Sequence, residues 1–303
     1  MKKLIITIVA MVALISSQHL SAQTKHEFSV YGGGGLSTMR YQLSLGDRSG
    51  GFGGDFGVGY TYFRVKERAV ETGKVFQEHW GIHTGIGIDM YSSTAKLNNQ
   101  TAITKGLSDG DQQLVNGKRV DQFDLHTTLS GYNENQKAML LNIPVMALFQ
   151  IEQFYAMSGV KIGIPINGKY SSKNATLTNK AYYHELDNWL TTQTFAGYGE
   201  FRGRDSDGKL DLGVSVALAL EAGMKWDFSD KLSLYTGVYF DYGLTNVTKG
   251  GNTQFVNYNA NNAENFTTNS VLSSYTDNSK SATFTDKVNM TAIGIKLRLA
   301  LEI

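Results

Sequence analysis

The sequence predicts an all-β fold: an eight-stranded antiparallel up-and-down transmembrane β-barrel with three long extracellular loops. Three observations predict it. Apolar residues recur at every second position in runs longer than the roughly five or six residues of an ordinary strand, and as long as the about 9–11 residues that a bilayer-crossing strand needs. Beyond the N-terminus no segment is continuously apolar over the roughly 20 residues of a helical span, so any crossing must use strands, which only a closed barrel permits. Short and long connections also alternate, as they do between the two sides of such a barrel.

The clearest run is the hairpin from Lys209 to Leu244. Leu212, Val214, Val216, Leu218, Leu220, Ala222 and Met224 are apolar, while Asp211, Gly213, Ser215, Glu221 and Lys225 share the other face. After the turn Asp227-Phe228-Ser229-Asp230 the pattern repeats, with Leu232, Leu234, Val238, Phe240, Tyr242 and Leu244 set against Ser233, Tyr235, Tyr239, Asp241 and Gly243. This is the period of two that an apolar-out, polar-in strand requires.

At the N-terminus, Met1-Lys2-Lys3, the apolar run Leu4 to Ile15 and the ending Leu20-Ser21-Ala22 have the three parts of a secretory signal peptide, with cleavage expected after Ala22. Residues 1–22 are thus expected to be removed and 23–303 to form the barrel domain. No Cys follows the apolar run, which excludes a lipid-modified N-terminus, and the absence of Cys throughout removes disulfides, thiolate metal sites and Cys nucleophiles. A net charge of +1 gives no broad basic face for nucleic acid.

The first strand is expected to present Phe28, Val30 and Leu36 outward; no Lys-Ser/Thr follows Gly32 to Gly35, so this is not a phosphate loop. The second, Gly51 to Phe63, turns Phe56, Val58, Tyr60 and Tyr62 outward and Asp55 inward. The third, Trp80 to Tyr91, turns Ile82, Ile86, Ile88 and Met90 outward and His83 and Asp89 inward. The charged piece Arg64 to Glu78 between them is long for a turn, as if these strands projected further. Ser92 to Gln136 reads as a polar loop, with a strand extension near Gln122 to Leu129.

Lys137 to Phe149 and Phe154 to Ile166 are the fourth and fifth strands, with Pro144 and Pro165 expected at a bulge or strand end because each lacks a ladder donor. Asn167 to Gly208 reads as a second loop, in which Tyr182, Leu186 and Trp189 recur at helical spacing behind Thr178-Asn179 and predict one short helix. The Lys209–Leu244 hairpin supplies strands six and seven. A third loop, Thr245 to Asp286, precedes the last strand, Val288 to Ile303, whose outward row is Ile293, Ile295, Leu297, Leu299, Leu301 and Ile303.

With strands and turns placed, four stretches resemble recurring segments of the porin-like outer-membrane β-barrel family of Gram-negative bacteria. They are Leu141-Asn142-Ile143-Pro144, Tyr155-Ala156-Met157-Ser158-Gly159, Asp211-Leu212-Gly213, and Tyr239-Phe240-Asp241-Tyr242-Gly243-Leu244-Thr245-Asn246. Asn142 stands where an acid is common in the family, and Ile303 where many such barrels end in Phe. The resemblance implies the fold and an outer-membrane location; it does not imply one activity.

The inward rows place Asp55, His83, Asp89, Lys161, Asp211, Glu221, Lys225, Asp241, Lys296, Arg298 and Glu302 in the lumen. An eight-stranded barrel is only wide enough for side chains to fill it, so these are expected to form a polar ion-pair network. No catalytic residue is expected: His83 points inward while Thr84 points to lipid, which argues against a lipid-modifying His-Ser enzyme. Asp205-x-Asp207-Gly208-x-x-Asp211 resembles part of a Ca²⁺ loop but lacks its closing Glu, and no metal or cofactor is expected. Loop aromatics Tyr182, Tyr183, Trp189, Phe195, Tyr198, Phe255, Tyr258 and Phe266 are read equally as a contact surface or as loop packing. The expected function is structural or surface-binding through the loops; a small porin-like channel is the alternative. Expected partners are outer-membrane lipid and an extracellular protein or glycan, with the chain itself monomeric.

Overall fold

The computed structural model describes residues 23–44, 46–69, 75–107, 114–115, 118–119, 122–248, 251 and 253–303. The expected leader, residues 1–22, lies outside them. Eight strands form a closed antiparallel ring: β1 Gln23–Arg40, β2 Phe52–Ala69, β3 Val75–Leu97, β4 Tyr132–Ile151, β5 Phe154–Tyr183, β6 Ser215–Asp227, β7 Leu232–Gly243 and β8 Asn289–Glu302. Each pairs with its neighbours in sequence, and β8 closes the ring on β1 with Tyr31 opposite Arg298. The order is therefore up-and-down.

Alternation sets the two faces. Val30, Phe56, Ile86, Val160, Val238, Ile295 and Leu297 are exposed on the outside. Their sequence neighbours turn inward, where charged and aromatic side chains are buried. The ends at 151–154 and 227–232 are tight turns. β2 and β3 run on together to Ala69 opposite Val75, which accounts for the charged stretch from Arg64 to Glu78.

The two prolines behave differently. At Pro165 the β4–β5 register shifts between Pro165 and Asn167, the expected bulge. Pro144 lies in mid-strand instead. Its pairing with β5 is continuous opposite Lys161, while the β3 ladder is interrupted between Thr84–Val145 and Gly87–Asn142 without a change of register. The lost donor is absorbed as a local gap, and the Thr84 hydroxyl donates to the Pro144 carbonyl at 2.9 Å.

The expected loops hold far more strand than their polarity suggested. β5 is 30 residues long and its outer half is a wall of sheet, flanked by Gln122–Ser130 on one side and Gly199–Lys209 on the other, with Gln100–Leu107 beyond. The expected helix at Tyr182 to Trp189 is a hairpin: Asn188–Leu190 folds back on β5, and Tyr182 and Trp189 are cross-strand partners with ring centroids 4.9 Å apart. A seven-residue separation fits two helical turns and also a hairpin with a tight turn, and pairing along the β5 edge decides for the hairpin.

Inside the wall lie the described residues of the segment 245–286, with short strand pieces and the 3-10 turn Ala260–Asn265. Phe255, Val256, Phe266, Val271, Leu272 and Phe284 are buried in one apolar cluster with Phe123, Leu125, Tyr132, Leu177 and Phe201 of the wall. The outer end of the barrel thus has a core of its own.

Candidate functional site

Two buried polar arrays stand out, one filling the barrel and one fastening its outer end. In the first, Lys161 Nζ lies 2.6 Å from Asp241 and 3.5 Å from Asp89. Asn142 donates to Asp89 at 2.5 Å and the Tyr91 hydroxyl at 3.3 Å. Asn142, a neutral donor on this inward row, therefore solvates one carboxylate rather than adding another.

One layer along, Lys296 Nζ makes an ion pair with Asp55 at 2.8 Å and lies 3.4 Å from Glu221, with the rings of Tyr31 and Tyr239 around it at 5.1 and 4.7 Å. The Tyr31 ring lies across Gly57 and Gly87, where any Cβ would collide with its hydroxyl. Arg298 stacks on Tyr235 at 4.4 Å and approaches Glu221 at 3.5 Å, which also accepts from the Tyr155 hydroxyl at 3.0 Å. His83 Nδ1 is shared between Thr61 Oγ1 at 2.8 Å and Arg298 Nη1 at 3.4 Å. Below, Lys225 pairs with Glu27 at 3.1 Å, and the Tyr235 hydroxyl donates to the same carboxylate.

Nine of the eleven lumen residues expected from sequence are brought together: Asp55, His83, Asp89, Lys161, Glu221, Lys225, Asp241, Lys296 and Arg298 are all buried. Two are not. Asp211 is exposed, because β6 begins only at Ser215 and residues 210–214 belong to none of the ring's strands, so strand parity does not reach it. Glu302 has the right parity but sits at the rim, half-exposed and paired with Lys25 at 2.9 Å. Glu27 was missed because the first strand begins earlier than its apolar row suggests. Tyr31, Tyr155, Tyr235 and Tyr239 also lie on the inward rows by parity, but the expected network names only the charged residues and His83, since a tyrosine carries no charge to pair.

These side chains leave little space. The cavity among Tyr31, His83, Lys161, Glu221, Tyr239, Asp241, Lys296 and Arg298 measures about 20 Å³, room for about one water. The network therefore fills the barrel at this level. His83 lies inside this packing, with Thr61 and Arg298 as its partners.

The second array centres on Glu134, which is fully buried. Its carboxylate accepts from the Tyr132 hydroxyl and Gln136 Nε2 at 2.8 Å, Ser270 Oγ at 2.5 Å and the Val271 N–H at 3.0 Å. The Tyr41 hydroxyl donates to Gln136 at 2.7 Å, tying β1 into the same group. Further bonds join the segment to the wall, from the Tyr170 hydroxyl to Thr268 O at 3.0 Å and from the Ile103 N–H to Thr276 O at 2.9 Å. Sequence reading missed this array: Tyr132, Glu134 and Gln136 alternate with Asn133, Asn135 and Lys137, and with both faces polar the strand period carries no hydropathy signal.

All four donors to Glu134 are neutral, and burial pushes its carboxyl above the usual range despite their pull in the other direction. A raised acid favours the docked segment when protonated; this contribution is present below the ordinary carboxylate range and is lost as pH rises through the folded-state value. Amide exchange at Val271, corrected for its intrinsic rate, should therefore become more protected on acidification, and Glu134→Gln should flatten that dependence. An unchanged profile in the variant would assign the titration to another group.

The loop aromatics divide. Tyr183, Tyr198, Phe255 and Phe266 are buried and pack the wall on the segment 245–286, Tyr258 lies half-buried against Phe123, and Trp189 and Phe195 are exposed. Tyr182, Trp189, His126 and His184 form a partly exposed cluster of rings on the outer face of the wall. Asp205, Asp207 and Gly208 lie in a strand paired with β5 rather than in a loop turn. Among the described residues, no group of three or more His, Cys, Asp or Glu is placed to hold a metal ion. No family model matches this chain, and no curated protein matches it.

Proposed function

We propose that the protein is a non-enzymatic outer-membrane β-barrel of a Gram-negative bacterium, exported by a cleaved leader, whose outer end forms a rigid surface for contact with an extracellular protein or glycan. The observation that carries this reading is the belt of outward apolar side chains around a closed, polar-filled ring. On β3 the belt runs from Trp80 to Met90, about 33 Å of strand at about 3.3 Å per residue. At a tilt of about 40° that is about 25 Å along the barrel axis, the height of the apolar band of an outer-membrane barrel.

The short turns then face the periplasm, and the segments 98–131, 184–214 and 244–288 are the long extracellular connections. Aromatic residues gather at the inner boundary, where Trp80, Phe154 and Trp226 are exposed and Trp80 packs on Phe149 at 4.6 Å. Since the large apolar side chains described in the segment 245–286 are turned into the packing, the apolar surface left for a partner is that of the wall and its turns, where Leu107, Leu186, Trp189 and Phe195 are exposed. The filled lumen and the enclosed His83 support binding over conduction or lipid chemistry.

The refolded barrel should run as a compact, heat-modifiable band and remain silent in planar bilayers. Discrete conductance steps altered by Lys296→Ala or Asp241→Ala would replace this reading with that of a small channel.

A further inference from the structure

Three lysines stand directly opposite one another on three adjacent strands. Lys169 of β5 is paired with Lys137 of β4 on one side and with Lys209 of the strand Gly199–Lys209 on the other. All three are exposed, while Ala138 and Tyr170 beside them are buried, so the lysines share the outer face. Like charges directly opposite on a sheet are destabilising, with Cβ atoms only about 5 Å apart. Among the described residues, none of the three side chains makes an ion pair or hydrogen bond. Asp207 lies one outward row further along the wall, opposite Ser171, and Asp205 one row beyond it.

The row's position is specific. On β4 it adjoins Met139, and on β5 it lies beyond Ile164 and Ile166, the last exposed apolar residues of that strand, with Asn167 opposite Met139 between them. Beyond it the outward positions are polar: Asn135 and Ser171, then Asn133 and Lys173. Three cations, none of them in an ion pair, thus lie in one line where the apolar belt ends and the polar wall begins, with exposed Asp207 and Asp211 two residues to either side of Lys209. In a bilayer that is the level of the headgroups, and it rests on the membrane-spanning reading above.

We infer that Lys137, Lys169 and Lys209 form a docking row for the phosphate of an outer-leaflet lipid headgroup. A phosphate monoester brings up to two negative charges and three acceptor oxygens, enough to be shared by three ammonium groups that otherwise repel. Its acyl chains would continue down the adjoining apolar face past Met139 and Ile166. Continuity of charge and apolar surface selects a lipid over a free anion.

Native mass spectrometry of the refolded full barrel, released from micelles containing equal phosphatidic acid and phosphatidylcholine, tests this. Phosphatidic acid should be retained preferentially. The triple variant Lys137→Gln, Lys169→Gln, Lys209→Gln should lose that preference by on the order of tenfold to a hundredfold, while Lys180→Gln, further out on the wall, should keep it. Excess inorganic phosphate should leave the lipid adduct in place; displacement by it would assign the row to a soluble anion and overturn the proposal. Equal retention of both lipids, an unchanged triple variant, or an equal loss in Lys180→Gln would also overturn it while leaving the membrane reading intact. A wild-type barrel that retains neither lipid and shows no heat-modifiability would remove the membrane reading itself.

Discussion

Replacing Lys161 by Met should lower the stability of the refolded barrel by about 3–5 kcal/mol, the cost of leaving one side of a buried ion pair without its partner. Lys161 lies between Asp89 and Asp241, and all three are buried. Without the ammonium, two carboxylates face each other inside the ring. Asn142 and Tyr91 still donate to Asp89, but nothing of opposite charge comparably close remains for Asp241. Urea unfolding in lipid vesicles reads the loss. Adding Asp89→Asn and Asp241→Asn should recover much of it, since a neutral replacement of a whole buried ion group is often close to neutral in energy. A single variant as stable as the wild type would mean that water reaches these groups and that the lumen is open.

The second large effect belongs to the outer face. Leu297 is 52% exposed, and in water an Arg there should change little. With the belt in hydrocarbon, Leu297→Arg should cost about 2–4 kcal/mol near the bilayer midplane, and less toward the boundary. An Arg at Thr128, half-buried on the outward row of the wall beyond the belt, should cost far less, little more than its hydrogen bond to Thr101. Equal effects at the two positions in vesicles would mean that they share one solvent.

How much of this was legible in the sequence follows from which solvents each strand separates. Within the belt one face is apolar and the other polar, so Leu297 and Lys296 are told apart by parity alone, and nine of the buried polar lumen residues follow from it while Glu27 and the lumen tyrosines do not. Along the outer wall both faces carry polar residues, so Tyr132 to Gln136 and Gly199 to Lys209 read as loops although they are regular strands. Parity also fails where a strand stops: Asp211 shares the phase of Glu221 but lies outside β6. The row of Lys137, Lys169 and Lys209 is invisible without register, because its members are far apart in sequence and meet only through the bulge at Pro165. The Glu134 array is hidden for the same reason, since Ser270 and Val271 reach it from a segment with no periodicity.

The central claim is that the outward apolar ring faces lipid, and a chain without Cys allows it to be tested one position at a time. Single Cys variants at Ile86, Val160 and Leu297, with Thr128 and Lys180 as positions on the wall, would each carry a fluorophore in vesicles containing brominated lipid. Strong quenching at the three belt positions and little at the two wall positions is the predicted result. Uniformly weak quenching, with all five cysteines open to a membrane-impermeant maleimide, would contradict it.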